Sequence, residues 1–244
     1  MAERSLQDLC EEGQQKLLAT DYFGAEKLLM RAELFAWNAR DWDTLSRVYM
    51  PLQESRRQRR QRCGEGIVKL DLIARNTQSP LEPEQITARY PHGQLLVAGF
   101  GSIEPAVSVR RIAWEQGLYL ETFLGAVYPV NDSFVVAIVP TADISLPPVD
   151  GRPLDRLLLT LPPFSIVLSE SDLPSGERKG TDATYAQTMC LWERLHLPFL
   201  AAAEQTSDPV RKMAAFRRVI EVDYASELAH QHLSLTARKM QQRA

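Results

Sequence analysis

The sequence predicts an α/β protein: a central mixed sheet with helices, flanked by α-helical hairpins at both termini. Apolar residues follow a helical period at both ends of the chain, and an alternating period typical of strands starts at Ile67. Twelve of the 15 prolines lie between Pro80 and Pro174, a density that an array of helices would not tolerate because proline breaks the helical hydrogen-bond ladder. We therefore expect three segments, 1–65, 66–180 and 181–244.

The first segment contains the pattern of two amphipathic helices joined by a short turn. The two apolar faces consist of Leu6, Leu9, Cys10 and Leu17, and of Ala25, Leu28, Leu29, Ala32, Phe35 and Ala36. Asp21 stands where a helix N-cap is expected, directly after the turn. The pattern predicts an antiparallel helical hairpin.

Residues 5–50 also carry a spaced pattern of small and aromatic residues. Gly13, the pair Asp21-Tyr22, Ala25, Leu29 and Ala32 are followed by Trp42-x-x-Leu45-Ser46-x-x-Tyr49, and Leu9 and Trp42 are 33 residues apart. This pattern resembles a tetratricopeptide repeat followed by the W-x2-L-G-x2-Y opening of the next, with a period of about 34 residues. The resemblance implies a concave helical groove that holds a peptide or a partner helix. Candidate partner-binding residues are Tyr22, Trp37, Trp42 and Tyr49, with packing as the alternative role and the favoured one for Trp42.

An arginine run follows in the same helix and departs from the repeat pattern. Arg56, Arg57, Arg59, Arg60 and Arg62 lie within seven residues, in a segment (51–89) that carries 8 basic and 5 acidic side chains. Such a run is a candidate anion-binding site, because arginine neutralises phosphates and binds them in a bidentate manner. The alternative is a solvated helix whose arginines pair with acids in the neighbouring segments, 1–50 (net charge −3) and 90–180 (net charge −4). Aromatic residues for stacking on bases are missing from the run.

The central segment alternates strands and helices. Strands are expected near 67–74, 95–98, 118–128, 134–139, 157–161 and 164–168, with helices near 82–89 and from Ser102 to Gly117. Strands that alternate with helices in the first half favour a partly parallel sheet with antiparallel additions.

Gly99, Gly101 and Ser102 form a candidate ligand-binding loop between a strand and a helix, where phosphates bind to exposed backbone N–H groups. The dinucleotide fingerprint requires a third glycine near position 104. Glu104 stands there instead, and its carboxylate would repel a phosphate. The alternative is a tight turn with close packing of helix on strand.

Helical patterns return near Thr181. The motif Trp192-x-x-Leu195-x-x-x-Phe199 resembles the same repeat opening more loosely, and Asp208-Pro209 is a typical helix start. We expect these C-terminal helices to pack on the N-terminal hairpin or on the sheet, because a single hairpin buries its apolar face poorly.

The bulk composition narrows the classes of function. The net charge of −3 is close to neutral, and the three cysteines are far apart without zinc-type spacing. No secretory signal or stretch long enough to cross a bilayer is expected. These features predict a cytoplasmic protein without a metal or cofactor and without a membrane partner.

The absence of a recognisable catalytic constellation favours a non-catalytic adaptor or scaffold that binds a protein or peptide through its helices. The alternative is a small-molecule or nucleotide-binding α/β domain, enzymatic or not, with its site at Gly99–Ser102. A third hypothesis is nucleic-acid binding through Arg56–Arg62.

Overall fold

A computed structural model describes residues 5–243 and confirms the α/β class, with helices on both sides of the sheet in the sequence. The chain divides into two compact units. Unit 1 contains the described residues up to Gln61 and from His196 onward, and unit 2 contains Arg62–Leu195. The segments 1–65 and 181–244, which were expected to pack on each other or on the sheet, thus both contribute to unit 1.

Unit 1 is helical. It contains α1 (Leu6–Leu18), α2 (Tyr22–Ala39), most of α3 (Trp42–Glu65), the end of α7 (Asp182–Glu204), α8 (Pro209–Val222) and α9 (Glu227–Gln241). The starts of α1, α2 and α8 are capped by the side chains of Ser5, Asp21 and Asp208, each of which accepts a hydrogen bond from a backbone N–H of the first turn.

One apolar core joins these helices. Its buried members include Leu9, Leu29, Leu45, Tyr49, Leu52, Leu200, Phe216, Val219 and Leu233. Gly13 brings α1 and α2 close together, because a Cβ atom at this position would lie 2.8 Å from Leu29 Cγ. Both the N-terminal and the C-terminal helices are therefore needed to complete the core of unit 1.

Helix α3 is continuous through Pro51 and ends at Glu65, close to the helix end expected at Gly64–Gly66. Its buried side begins with Leu45, Tyr49 and Leu52. Arg56 and Arg60 follow at the same helical spacing and are also buried. The side of α3 that faces the core therefore carries apolar residues at first and charged residues further along the helix.

Unit 2 is built on a six-stranded sheet. The strands are β1 (Ile67–Ile73), β2 (Gly93–Phe100), β3 (Leu120–Val130), β4 (Ser133–Val139), β5 (Ile166–Ser169) and β6 (Arg178–Lys179). They lie in the order β5-β4-β3-β2-β1-β6. Strands β1, β2 and β3 are parallel, and β4, β5 and β6 pair antiparallel to their neighbours. The predicted parallel core with antiparallel additions is confirmed.

Three helices cover one face of this sheet. They are α4 (Pro83–Arg89), α5 (Glu104–Gln116) and α6 (Leu154–Thr160), and their side chains share a core with Leu95, Val97 and Leu124. Side chains of the opposite face contact the middle of α7: Phe123 stacks on Trp192 with ring centroids 4.3 Å apart.

The strand expected at 157–161 is wrong, because this stretch lies largely in α6. Leu157 and Leu161 are buried four residues apart, which is a helical spacing, and Pro153 precedes the first helical residue. A short apolar run does not distinguish the two structures by itself. The following strand, β5, begins at Ile166, two residues later than expected.

Candidate functional site

Three of the five arginines of the run belong to a buried charged cluster in unit 1. We call it the arginine cluster, and it consists of Glu26, Arg56, Arg59, Arg60, His196, Asp223 and His230. Its first half is built around Glu26 of α2. Arg56 donates from Nε to Glu26 Oε1 at 3.0 Å, and Arg59 Nε lies 3.0 Å from Oε2. Glu26 is 1% exposed. Two guanidinium groups thus neutralise one carboxylate that has almost no contact with water.

The second half is built around Asp223, which follows α8. Its two carboxylate oxygens lie 2.7 Å from Arg60 Nη1 and 2.7 Å from His196 Nδ1. Burial alone would raise the pKa of Asp223, but the charge of Arg60 and the His196 imidazole outweigh burial and lower this pKa to about 2. Asp223 is therefore an ionised carboxylate inside the helical unit.

His230 of α9 completes the cluster as a neutral imidazole. Its Nδ1 lies 2.7 Å from the backbone carbonyl of Ser226, to which it must donate, and its Nε2 lies 3.0 Å from Arg56 Nη1, from which it must accept. Complete burial and the nearby Arg56 charge lower the pKa of His230 to about 3. The hydrogen bonds and the pKa agree on the uncharged form.

Aromatic rings cover the arginines. The Arg59 guanidinium carbon lies 3.9 Å from the centroid of the Tyr224 ring and 5.6 Å from that of Phe23. These distances are within the range of cation–π attraction. The aromatic partners that the run itself lacks are supplied by α2 and by the turn after α8.

The remaining two arginines, Arg57 and Arg62, form exposed ion pairs with Glu54 and Glu65. Every guanidinium of the predicted anion-binding set therefore has a carboxylate partner within the chain. The expectation of a solvated helix is wrong for Arg56 and Arg60, which are 7% and 2% exposed. Their burial follows from the helical spacing, which places both on the core side of α3.

The four predicted partner-binding aromatics lie around α2 and α3. Trp37 and Trp42 form an edge-to-face pair with centroids 6.4 Å apart, and Arg217 of α8 lies 4.3 Å from the Trp37 ring. Tyr49 is buried and donates its hydroxyl hydrogen bond to Glu33 at 2.9 Å. Tyr22 is partly buried in the first turn of α2. Tyr49 is thus a core residue, whereas the other three keep some exposed surface.

A groove of about 560 Å³ lies between α1 and α3. We refer to it as the groove. Its lining comes from α1, from Leu29 of α2 and from the start of α3: Leu6, Gln7, Cys10, Glu11, Gln14, Leu29, Asp41, Thr44, Arg47 and Val48. None of the four predicted aromatics is among them. The residues on α1 follow one helical face, with Gln7, Glu11 and Gln14 four and three residues apart, and this spacing is visible in the sequence.

The groove combines apolar and hydrogen-bonding groups. Gln7 donates to Glu11 at 2.8 Å, and the Asp41 carboxylate accepts from both the backbone and the hydroxyl of Thr44. Arg47 pairs with Asp43 at the rim. Partial burial raises the pKa of the Cys10 thiol, which disfavours a reactive thiolate. These groups suit binding rather than covalent catalysis.

The predicted ligand-binding loop is a tight turn after β2. Gly101 has a φ of +60°, and a Cβ atom there would lie 2.3 Å from Val149 Cγ2. The Ser102 hydroxyl accepts from the backbone N–H of Glu104, and the next residue is Pro105, which has no N–H. Val149 therefore fills the space beside Gly101, and the Ser102 hydroxyl is already engaged with the Glu104 N–H.

Unit 2 also buries a chain of polar side chains. Gln94 donates to Glu121 at 2.6 Å and accepts from Thr188 at 2.8 Å. All three side chains are buried. These hydrogen bonds connect β3, β2 and α7, and they satisfy buried polar groups that would otherwise destabilise the core.

Within residues 5–243, no group of three or more His, Cys, Asp or Glu side chains is arranged to hold a metal ion. No helix of that range has the length and apolar character needed to cross a membrane. Comparisons with family models, with curated proteins and with solved structures gave no match to the chain.

Proposed function

We propose that this protein is a non-catalytic adaptor whose helical unit binds a peptide segment of another protein in the groove. The observation that carries this proposal is the groove itself, which is open between α1 and α3 and is large enough for several side chains. Pockets of this size fall within the range of ligand sites in proteins, about 300–1,000 Å³.

The arrangement of α1, α2 and α3 supports this proposal. In the tetratricopeptide resemblance, α1 and α2 form one helical pair and α3 begins the next, so that the groove lies between the first helices of successive pairs. Gly13 provides the close approach of paired helices that such a repeat requires. The resemblance itself stays a hypothesis and adds to the proposal only the expectation that the occupant is a peptide or helix.

The chemistry of the groove suits a peptide with apolar side chains. Leu6, Leu29 and Val48 provide apolar contact, and Gln7 and Gln14 present amides that can pair with a peptide backbone. The glutamines are exposed, so they are available without the loss of a core contact. Binding through apolar anchors and backbone hydrogen bonds is the usual physical basis of peptide recognition.

The two alternative functions have less support. Nucleic-acid binding through Arg56–Arg62 would require phosphates to replace internal carboxylates, two of which are buried. Nucleotide binding at Gly99–Ser102 would require movement of Val149. The cytoplasmic localisation expected from the cysteines is part of the same proposal.

Site-specific photocrosslinking tests this proposal. A photoreactive phenylalanine analogue at Gln14 in the groove is compared with the same analogue at Arg31, which is exposed on α2 and outside the groove. We expect a discrete crosslinked protein from Gln14 and none from Arg31. The partner, once identified, is then measured for binding to Arg47→Glu and to the control Arg31→Glu.

We expect Arg47→Glu to weaken binding at least tenfold and Arg31→Glu to leave it unchanged, with circular dichroism confirming that both variants are folded. Equal crosslinking at Gln14 and Arg31, or equal binding by the two charge variants, would contradict the proposal.

A further inference from the structure

A buried arginine without a partner lies at one edge of the sheet in unit 2. Arg178 and Lys179 form the edge strand β6, which pairs with β1. The Nε and Nη2 atoms of Arg178 are buried, and neither has a hydrogen-bond partner among the residues that the structure describes. A buried polar group without a partner is costly, and a charged one more so. The position of this guanidinium therefore requires an explanation other than packing.

Arg178 belongs to the side of the sheet on which α7 lies. Residues that are paired across neighbouring strands project from the same face of a sheet. The register places Arg178 beside Val68, Val68 beside Gln94, and Gln94 beside Glu121. Gln94 donates to Glu121 and accepts from Thr188 of α7. The polar groups in the middle of this row are thus satisfied within the chain, whereas those of Arg178 at its end are not.

The carboxylates of the segments next to β6 do not neutralise Arg178. Three of them pair with other cations: Glu177 with Arg89, Asp71 with Lys69, and Glu65 with Arg62. Asp182, at the start of α7, is exposed, and within the described residues it forms no ion pair with Arg178. The positive charge of Arg178 therefore has no counterion in the described part of the chain.

The two unpaired atoms indicate the chemistry of the missing partner. Nε and Nη2 form one edge of the guanidinium, and this edge matches the two oxygens of a carboxylate. Two other arginines of the chain use the same edge in this way. Arg57 donates from Nε and Nη2 to the two oxygens of Glu54 at 2.9 and 2.8 Å, and Arg152 donates from the same two atoms to Asp150. At Arg178 this edge is buried and has no acceptor.

We propose that Arg178 binds the carboxylate group of a small-molecule ligand through this edge. One carboxylate neutralises the single charge of Arg178, whereas a phosphate dianion would leave a desolvated negative charge without a partner. Arg178 as a whole is only partly buried. The guanidinium is therefore close to solvent, and a ligand reaches it through a movement of this side chain without opening the core of unit 2. The site is separate from the groove, which lies in unit 1.

Nuclear magnetic resonance of the arginine Nε–H groups in the full chain tests this site. Sodium acetate, propionate and benzoate are titrated separately, with sodium chloride at the same ionic strength as the control. We expect at least one carboxylate to shift the Arg178 Nε–H resonance in a saturable manner and chloride to leave it unchanged. Arg178→Lys removes this resonance and so identifies it. Arg110 is the internal control, because its Nε already donates to the Thr122 carbonyl at 2.7 Å.

Thermal unfolding separates a binding role of Arg178 from a structural one. Arg178→Met removes a buried charge without a partner, so we expect the ligand-free variant to unfold at a higher temperature than the wild type. The carboxylate that shifts the resonance should raise the unfolding temperature of the wild type and of the control Lys179→Met, but not that of Arg178→Met.

Three results would overturn the proposal. The first is an Arg178 resonance that none of the three carboxylates shifts, or that only inorganic phosphate shifts. The second is a ligand-free Arg178→Met variant that unfolds at a lower temperature than the wild type or does not fold, since either would show that the guanidinium stabilises unit 2 by itself. The third is stabilisation by a carboxylate that Arg178→Met retains.

Discussion

The Arg60 guanidinium lies 2.7 Å from the Asp223 carboxylate, and the two side chains are 2% and 1% exposed. A charge pair that is removed from solvent is costly to form. Replacing one member is more costly still, because the other is then left desolvated and unpaired. The pair therefore makes the folding of α3 dependent on the end of α8, although the two residues are far apart in sequence.

Replacing Arg60 should destabilise the protein severely. We expect Arg60→Met to lower the free energy of unfolding by about 3–5 kcal/mol, the usual cost of breaking a buried pair. The control Arg57→Met removes an exposed ion pair with Glu54 and should cost about 0–1 kcal/mol. Urea unfolding followed by circular dichroism measures both values. Similar costs for the two variants would show that the burial of Arg60 is unimportant.

Acidification should destabilise the protein in two steps. Between the ordinary pKa of a histidine, 6.5, and the folded pKa of His230, about 3, the unfolded chain binds a proton that the folded chain does not. The contribution of His230 to the free energy of unfolding is therefore fully present above pH 6.5. As the pH falls from 6.5 towards 3, the free energy of unfolding decreases by about 1.4 kcal/mol per pH unit. Asp223 adds a further loss between its ordinary pKa of 3.8 and its folded pKa of about 2.

His230→Gln should remove the first step, which is measured as the slope of unfolding free energy against pH. The control is His232→Gln, on the same helix but with a side chain that is 37% exposed. A slope that His230→Gln leaves unchanged, or that His232→Gln abolishes, would assign the acid sensitivity to other groups.

Tyr49→Phe should separate packing from partner binding. The Tyr49 hydroxyl donates to Glu33, and its loss leaves a partly buried carboxylate with one hydrogen bond fewer. We expect the free energy of unfolding to fall by about 1.5–3 kcal/mol, as for hydrogen bonds to charged groups. Peptide binding in the groove should not change, because Tyr49 does not line it. Weaker binding at unchanged stability would support the original partner-binding hypothesis.

Gly101→Ala should destabilise unit 2 through a collision with Val149 as well as through its positive φ. Gly176 is the matched control, since its φ is +83° but a Cβ atom there has nothing within 4 Å. Gly176→Ala should cost about 1–2 kcal/mol for the left-handed conformation alone. The collision should add about 1–3 kcal/mol at Gly101, as in other overpacked sites.

Thermal unfolding compares the two alanine variants, and Val149→Ala combined with Gly101→Ala should recover part of the difference. Equal losses at Gly101 and Gly176 would mean that Val149 moves aside without cost, as ligand binding at this loop would require.

The sequence predicted the fold class because its signals are local. Helical spacing, capping residues and alternating strands depend on neighbours within a few positions, and most element positions were correct within a few residues. The run Leu157–Leu161 failed because a short apolar stretch fits both periods. The helix is favoured because it buries Leu157 and Leu161 in a core that other elements of unit 2 supply.

The tetratricopeptide resemblance implied a groove, but the arginine cluster and the residues that line the groove were not predictable, because both depend on how separate elements pack together. The spacing of Arg56 and Arg60 was visible, but burial requires Glu26 and Asp223 to meet them, and no local pattern specifies that. Glu26 did carry a signal: it stands between Ala25 and Leu28 on the apolar side of α2. The groove arises from the packing of α1 beside α3, which the hairpin pattern leaves open.

The composition of unit 1 from both ends of the chain has a consequence for synthesis on the ribosome. All of unit 2 is translated before α8 and α9 exist, so the sheet can fold while Leu9, Leu29 and Leu45 still await their C-terminal neighbours. Closing unit 1 then brings together segments separated by a folded insert rather than by a flexible loop of the same length, which lowers the entropy cost of the closure. Until α9 has been translated, the first three helices expose apolar side chains that unit 1 later buries.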